Sequence, residues 1–368
     1  MFYPSPLLWY MRVYHGVTNI RQVFLSATQG NALNQSNLSM SDNLDRYQRF
    51  ITYLRVSVTD RCNLRCMYCR TVRAFAPLGH KDILSYEEIL QVIAAGIRVG
   101  IQKVRLTGGE PLLRRGVTGL VAAVCKDLKL KDVGITTNGV FLKKMAVPLY
   151  RSGLRRINVS LDTLRRDRYI DVTGRDHFDD VWQGLQEAEA VGFAPIKLNV
   201  VVMKGVNDDE VIPFGEITRD RPYHVRFIEY MPFGRGNGGF ADKHVSSDEI
   251  RKRLETRGPL KELDRRDLDG PAERYRFEGA RGEIGLISPI SRHMCPSCNR
   301  LRLTADGRLL PCLFSNTEFD IKTPVRKGAP PEDLQKVFLE AIQAKPRHHC
   351  IGLDGWFESG RPMSAIGG

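Results

Sequence analysis

Apolar and polar positions alternate with a period of two in a series of short runs, and stretches of helical period fall between them. Leu54, Val56 and Val58 make the first alternating run. Further strand-like runs are KVRLTG (103–108), DVGITTN (132–138), RINVSLD (156–162), IKLNVVVM (196–203) and HVRFIEYM (224–231). Helical periodicity covers 85–99, 117–128, 178–191 and 208–219. Six strands with helices between them predict a parallel α/β sheet with right-handed crossovers. Six units give an open, partial (βα)6 barrel of the TIM type rather than a closed eightfold one.

In such folds chemistry gathers at the carboxyl ends of the strands. The conspicuous residues fall there. A cysteine loop follows the first strand, Gly108-Gly109-Glu110-Pro111 the second, and Thr136, Thr137 and Asn138 end the third. Ser160 and Asp162 end the fourth, and Met231 ends the sixth. The stretch 232–243 is rich in glycine and reads as a mobile loop or hinge. The barrel rhythm stops near 245. A helix at 247–256, a strand EIGLISPI and a last helix at 331–344 follow, so 40–245 reads as the barrel and 246–368 as a C-terminal α+β region closing it. Residues 1–39 carry no acidic side chain and many Ser, Asn and Gln. They fit either a transit peptide or an upstream start with Met40 the natural one; the second is preferred, and either is expected to be poorly ordered.

Six of the eight cysteines form two tight groups, which is metal-site spacing rather than a disulfide framework and favours a reducing, cytosolic setting. Cys125 and Cys350 are left over, and Cys125, in LVAAVC, reads as a buried small hydrophobe. Cys62, Cys66 and Cys69 have the spacing C-x3-C-x2-C. Three thiolates hold a four-iron cubane with one iron left open to a substrate; a structural zinc with His80 as fourth ligand is the alternative, although structural zinc sites favour paired spacings. Cys295, Cys298 and Cys312 make the second group. Asp306-Gly307 reads as a two-residue hairpin turn that folds Cys312 back beside Cys298. Here zinc, with His293, and iron–sulfur stand level on spacing alone. Arg300 and Arg302 alternate on one strand and so share a face, suited to phosphate oxygens. Arg55, Arg105 and Lys197 lie inside predicted strands, where cations are poor core fillers; facing inward, they would line the lumen for a polyphosphate.

The 368 residues carry 55 Lys and Arg against 42 Asp and Glu, a formal charge of +13. That surplus admits nucleic acid, an anionic surface or a charged small substrate. No apolar run approaches the ~18 residues of a membrane span, and no RNA-binding module is evident.

C-x3-C-x2-C with Tyr68 before its last cysteine, followed by GGEP, resembles the radical S-adenosylmethionine (SAM) enzymes. From about Leu44 onward the whole pattern, with the second trio, NRLR after Cys298 and the terminal Gly367-Gly368, resembles the GTP 3′,8-cyclase family of molybdenum cofactor biosynthesis within them. The resemblance implies two [4Fe-4S] clusters, one on each trio. It implies SAM contacts at Tyr68, Gly109, Ser160 and Met231. GTP contacts are implied at Arg55, Arg105, Thr136, Lys197, Arg300 and Arg302, and a Gly367-Gly368 tail entering the site. The implied reaction cleaves SAM to 5′-deoxyadenosine and methionine and joins C3′ to C8 of GTP. A flavodoxin-type donor, a downstream cyclic pyranopterin monophosphate synthase, a homodimer and a cytoplasmic location accompany it, with neither membrane nor nucleic acid as partner. Radical SAM chemistry on RNA or peptide, and an electron carrier or zinc-stabilised binding protein, are the other classes considered.

Overall fold

The computed structural model describes residues 43–69, 76–233, 240–265, 268–349, 351 and 357–367. The leader, most of the glycine-rich loop, Cys350 and Gly368 lie outside the described residues.

The strands are β1 Tyr53–Ser57, β2 Lys103–Thr107, β3 Asp132–Thr137, β4 Ile157–Ser160, β5 Ile196–Val202 and β6 Tyr223–Glu229. Beyond them come β7 Leu260–Leu263, β8 Glu273–Phe277, β9 Glu283–Ile287, β10 Arg300–Leu303, β11 Arg308–Leu310 and β12 Phe319–Asp320. The helices that matter here are α1 Tyr86–Arg98, α2 Val117–Lys126, α3 Leu142–Arg151, α4 Arg166–Thr173, α5 Phe178–Val191, α6 Val211–Asp220, α7 Ser247–Glu255, α8 Pro331–Gln343 and α9 Met363–Ile366. The expected sixth strand stops at Glu229, so Met231 lies just past it.

All twelve strands form one sheet in the order β12-β11-β10-β1-β2-β3-β4-β5-β6-β9-β8-β7. Strands β1 to β6 run parallel as expected, and β10 and β9 extend that parallel run at its two ends, making eight among the described residues. The late part of the chain thus adds a strand to each side of the early sheet. Alternation then sorts the side chains. Leu54, Val56, Val104, Leu106, Ile135, Val159 and Leu198 are buried in the core shared with the helices. Their neighbours Tyr53, Arg55, Arg105, Thr136, Ser160, Asn199 and Arg226 border a single cavity, which requires the sheet to curl as an open barrel with a polar lumen.

Local chemistry explains the boundaries. Ser85 caps α1 in a reciprocal box: the Glu88 amide donates to Ser85 Oγ (3.2 Å) and the Ser85 amide to Glu88 Oε2 (2.7 Å). Helix α3 was not foreseen because Pro148 lies inside it. The proline removes the amide that would donate to the Lys144 carbonyl, near the C-terminal end of the helix. The hairpin β10–β11 closes on the pair Thr304–Arg308, so three residues, not two, make the turn, with Gly307 left-handed at φ +78°.

Glu229, at the end of β6, fastens the late segments to the barrel. It accepts from the amides of Ser247 (2.8 Å), Ile290 (2.9 Å) and Ser291 (3.0 Å). Burial pushes its carboxyl up, but His244, Ser291 and these amides outweigh that and hold it at about 2. No helix among the described residues is long and apolar enough to cross a membrane.

Candidate active site

Both cysteine trios open into one cavity of about 370 Å³. Cys62, Cys66 and Cys69 line one part of it, in the loop after β1. Cys295, Cys298 and Cys312 line another, flanking β10 and β11.

The first loop is held mainly by backbone. The amides of Arg65 and Met67 donate to the carbonyls of Thr173 (2.8 Å) and Val172 (2.9 Å) at the end of α4. The Gly109 amide donates to Thr59 O (2.7 Å) and the Glu110 amide to Arg61 O (2.8 Å). A β-carbon on Gly109 would stand 2.3 Å from Arg61 O, so the glycine is required by the cysteine loop as well as by any ligand. Glu110 is fully buried and accepts from Thr137 Oγ1 (2.7 Å), the Asn138 amide (2.7 Å) and the Leu112 amide (3.0 Å). Burial raises it to about 7 despite those donors. Tyr68 donates to Asp162 Oδ2 at 2.7 Å, while the Val201 amide binds the other oxygen at 2.8 Å. That pair joins the loop to β4 and β5. Ser160 and Met231 border the same cavity.

Burial pushes thiols up in both trios, Cys295 included, and Cys298 is the exception. Burial pushes the Cys69 thiol up to about 12, with Cys62 and Asp162 adding to the effect. Burial likewise pushes Cys66 up. Burial also disfavours the Cys298 thiolate, but Arg300 and Lys345 outweigh it and hold that thiol at about 5.

Arg55, Lys103, Arg105, Arg226, Arg300 and Arg302 border the cavity, against the carboxylates of Asp60 and Asp162. Of these cations, sequence reasoning missed Lys103 and Arg226; the signal was present, since each sits on a lumen-facing position of β2 or β6. Lys197 does not border this cavity. It lines a smaller one of about 140 Å³ that shares Arg226 with the first. Burial, then Arg226, Arg156, Arg105 and Lys103, drive its ammonium down to about 5. Tyr53 was also missed. Burial raises its phenol, yet Arg105, Arg55 and Lys103 outweigh that and bring it to about 7. Buried Arg105 Nε, Thr136 Oγ1 and Asn199 Oδ1 have no hydrogen-bond partner within the protein, as expected of groups that await a polar ligand.

The tail reaches this site. Arg302 Nη1 donates to Gly367 O at 2.6 Å. Gly367 is left-handed at φ +83°, and a β-carbon there would meet Thr107 Cγ2 at 2.8 Å and Ser57 Cβ at 3.2 Å.

The donor sets suit iron–sulfur clusters. Among the described residues no group of three His, Cys, Asp or Glu side chains is placed to hold a single metal ion. Three thiols in each trio are the donor set that a four-iron cluster takes. Neither imidazole weighed for zinc borders the cavity: His80 and His293 are both exposed. Buried His349 borders the cavity, with Nε2 2.8 Å from Pro289 O, and the His293 ring packs against it at 5.0 Å between centroids. Cys125 is half-buried against the core, away from either trio.

Residues 56–216 match the Radical SAM superfamily, and 223–351 match Molybdenum Cofactor Synthesis C. Solved structures of low identity share the fold. They include Streptococcus suis SuiB bound to S-adenosylmethionine (TM-score 0.55, 15% identity, 86% of this chain and 78% of that). Native anSMEcpe with bound AdoMet is another (TM-score 0.52, 13% identity, 80% and 81%). The chain is 45% identical to the GTP 3′,8-cyclase of Moorella thermoacetica over 324 residues, 88% of this chain and 99% of that one. It is 46% identical to that of Heliobacterium modesticaldum over 327 residues, 88% and 100%. With such similarity over nearly the whole of each relative, the chain belongs to the GTP 3′,8-cyclase family of radical SAM enzymes.

Proposed function

We propose that this protein converts GTP to 3′,8-cyclo-7,8-dihydro-GTP, with SAM cleaved to 5′-deoxyadenosine and methionine, as the first step of molybdenum cofactor biosynthesis. The observation that carries the reading is the pair of thiol trios on one cation-lined cavity. Clusters on the trios, with SAM, supply the electron and the radical chemistry. The protein positions and encloses.

Cys62, Cys66 and Cys69 would hold the SAM-binding cluster, with Tyr68, Gly109, Ser160 and Met231 around the SAM. Cys295, Cys298 and Cys312 would hold a second [4Fe-4S] cluster, which would supply a binding point for the guanine. Arg55, Lys103, Arg105, Arg226, Arg300 and Arg302 neutralise a triphosphate, with Thr136 as a further contact and Lys197 behind Arg226. Burial and the neighbouring cations hold Lys197 down, and an arriving phosphate would raise it again. Fixing the base at one end and the phosphates along the lumen keeps C3′ within reach of C8, the role for which rigid placement is worth most. Gly367, held by Arg302, would complete the wall. The region from 246 closes the barrel begun by 40–245. A flavodoxin-type donor, a cyclic pyranopterin monophosphate synthase downstream, a homodimer and a cytoplasmic setting belong to the same reading.

The test is an anaerobic assay of reconstituted protein with SAM, GTP and dithionite. Formation of 5′-deoxyadenosine together with the cyclised nucleotide is expected. SAM cleavage that GTP leaves unaffected, with no cyclised product, would overturn the reading.

A further inference from the structure

Arg49 belongs to none of the residue sets described above. It precedes β1 and is only 7% exposed. Asp45, 2% exposed, balances its charge: Arg49 Nε donates to Asp45 Oδ2 at 2.6 Å, and the Arg49 amide to Asp45 Oδ1 at 3.0 Å. Nη2 also pairs with Asp45 Oδ2 at 2.5 Å, and both terminal nitrogens reach backbone carbonyls. Nη1 donates to Cys295 O (2.9 Å) and Arg347 O (3.1 Å), and Nη2 to Pro346 O (2.7 Å).

Two segments remote from Arg49 in sequence therefore meet on one guanidinium. One is the backbone of a cysteine of the second trio. The other, 345–349, touches the rest of that trio's surroundings. Lys345 Nζ donates to Arg300 O (2.8 Å) and to Pro311 O (2.8 Å), the carbonyl just before Cys312. His349 ends the segment on the cavity wall. Removing one partner from a buried, charge-assisted network leaves the others unsatisfied, so such a cation is a rigid fixture. The planar fork matters, because one ammonium cannot face three carbonyls in the same directions.

We propose that Arg49 is a positioning residue for the second metal centre: it pins Cys295 to segment 345–349 and so fixes the mutual placement of the second cysteine trio. This rests on reading that trio as a cluster site. Outer partners of metal ligands typically change metal affinity or activity by roughly 10- to 100-fold when lost.

The experiment compares full-length wild type, Arg49→Met and Arg49→Lys after anaerobic reconstitution. Iron and sulfide content, the EPR spectra of the reduced clusters and their response to added GTP are measured. Wild type carrying iron at the first trio alone would defeat the cluster reading itself, whatever Arg49 does. With both clusters in wild type, Arg49→Met is expected to keep the first signal and SAM cleavage. Its second-cluster occupancy or GTP response should fall roughly 10- to 100-fold. Arg49→Lys should recover part of it. An unchanged second signal and GTP response in Arg49→Met overturns the inference. If Arg49→Met does not fold, Arg49→Lys decides: selective weakening of the second signal supports the proposal, and parallel loss of both signals overturns it.

Discussion

The two cysteine trios face the same cavity but are built by opposite means. The first hangs on backbone: amides of its own loop bind the end of α4, and the glycines after β2 press against its carbonyls. The second hangs on long cationic side chains, Arg49 and Lys345, that arrive from far along the chain. One thiol of each trio marks a further difference. Burial leaves Cys69 at about 12, whereas Arg300 and Lys345 bring Cys298 to about 5 against its burial. Around Cys66 and Cys69, burial and the neighbouring thiols and Asp162 all act against the thiolate. At Cys298 the compensation is built in, and Arg300 borders the cavity where a polyanion would lie.

If the trios divide the work, removing one should not mimic removing the other. The largest expected effect is Cys62→Ala, which should abolish SAM cleavage and product alike. Cys298→Ala should abolish the cyclised nucleotide while 5′-deoxyadenosine still forms. Chromatography of both products checks this, and identical losses in the two variants would break the division.

Next is the tail. Gly367→Ala forces a β-carbon against Thr107 and Ser57 in a left-handed backbone. A loss of cyclised product of roughly 100-fold is expected, about 3 kcal/mol in barrier. Removal of Gly367 and Gly368 together should abolish it. SAM binding and iron content should be unchanged in both, and full activity in the truncated protein would reject a role for the tail.

The smallest effect concerns Lys197. With its free ammonium near 5, it is neutral at pH 7, and a bound triphosphate raises it again. Binding of GTP should therefore take up a proton, and affinity should weaken as pH rises above about 5 until the pKa of the complex is passed. Titration calorimetry in buffers of different ionisation enthalpy reads the uptake. Lys197→Met should remove it and weaken binding by about tenfold, roughly 1.4 kcal/mol.

The contrast between the walls also explains what could be read in the sequence. The first site is local. Cysteine spacing, GGEP and the strand rhythm lie within about sixty residues, and each part signals by itself. The hairpin bearing the second trio was legible too, short of its third turn residue. The supports of the second site were not, because Arg49, Lys345 and His349 are unremarkable residues until folding brings them to Cys295. Lys103 and Arg226 were missed although alternation within β2 and β6 aims both at the lumen. Lys197 was correctly placed in a strand, but its depth in the lumen depends on register, which pattern does not give. Strand β7, at the sheet's edge, and its neighbour β8 escaped notice as short, charged segments.

The central claim is that a nucleotide fixed at the second trio presents its ribose to chemistry begun at the first. Turnover of GTP deuterated at C3′ tests it directly. The account predicts deuterium in the 5′-deoxyadenosine that is released, together with cyclised nucleotide that has lost it. Unlabelled 5′-deoxyadenosine beside product that keeps its deuterium would contradict it.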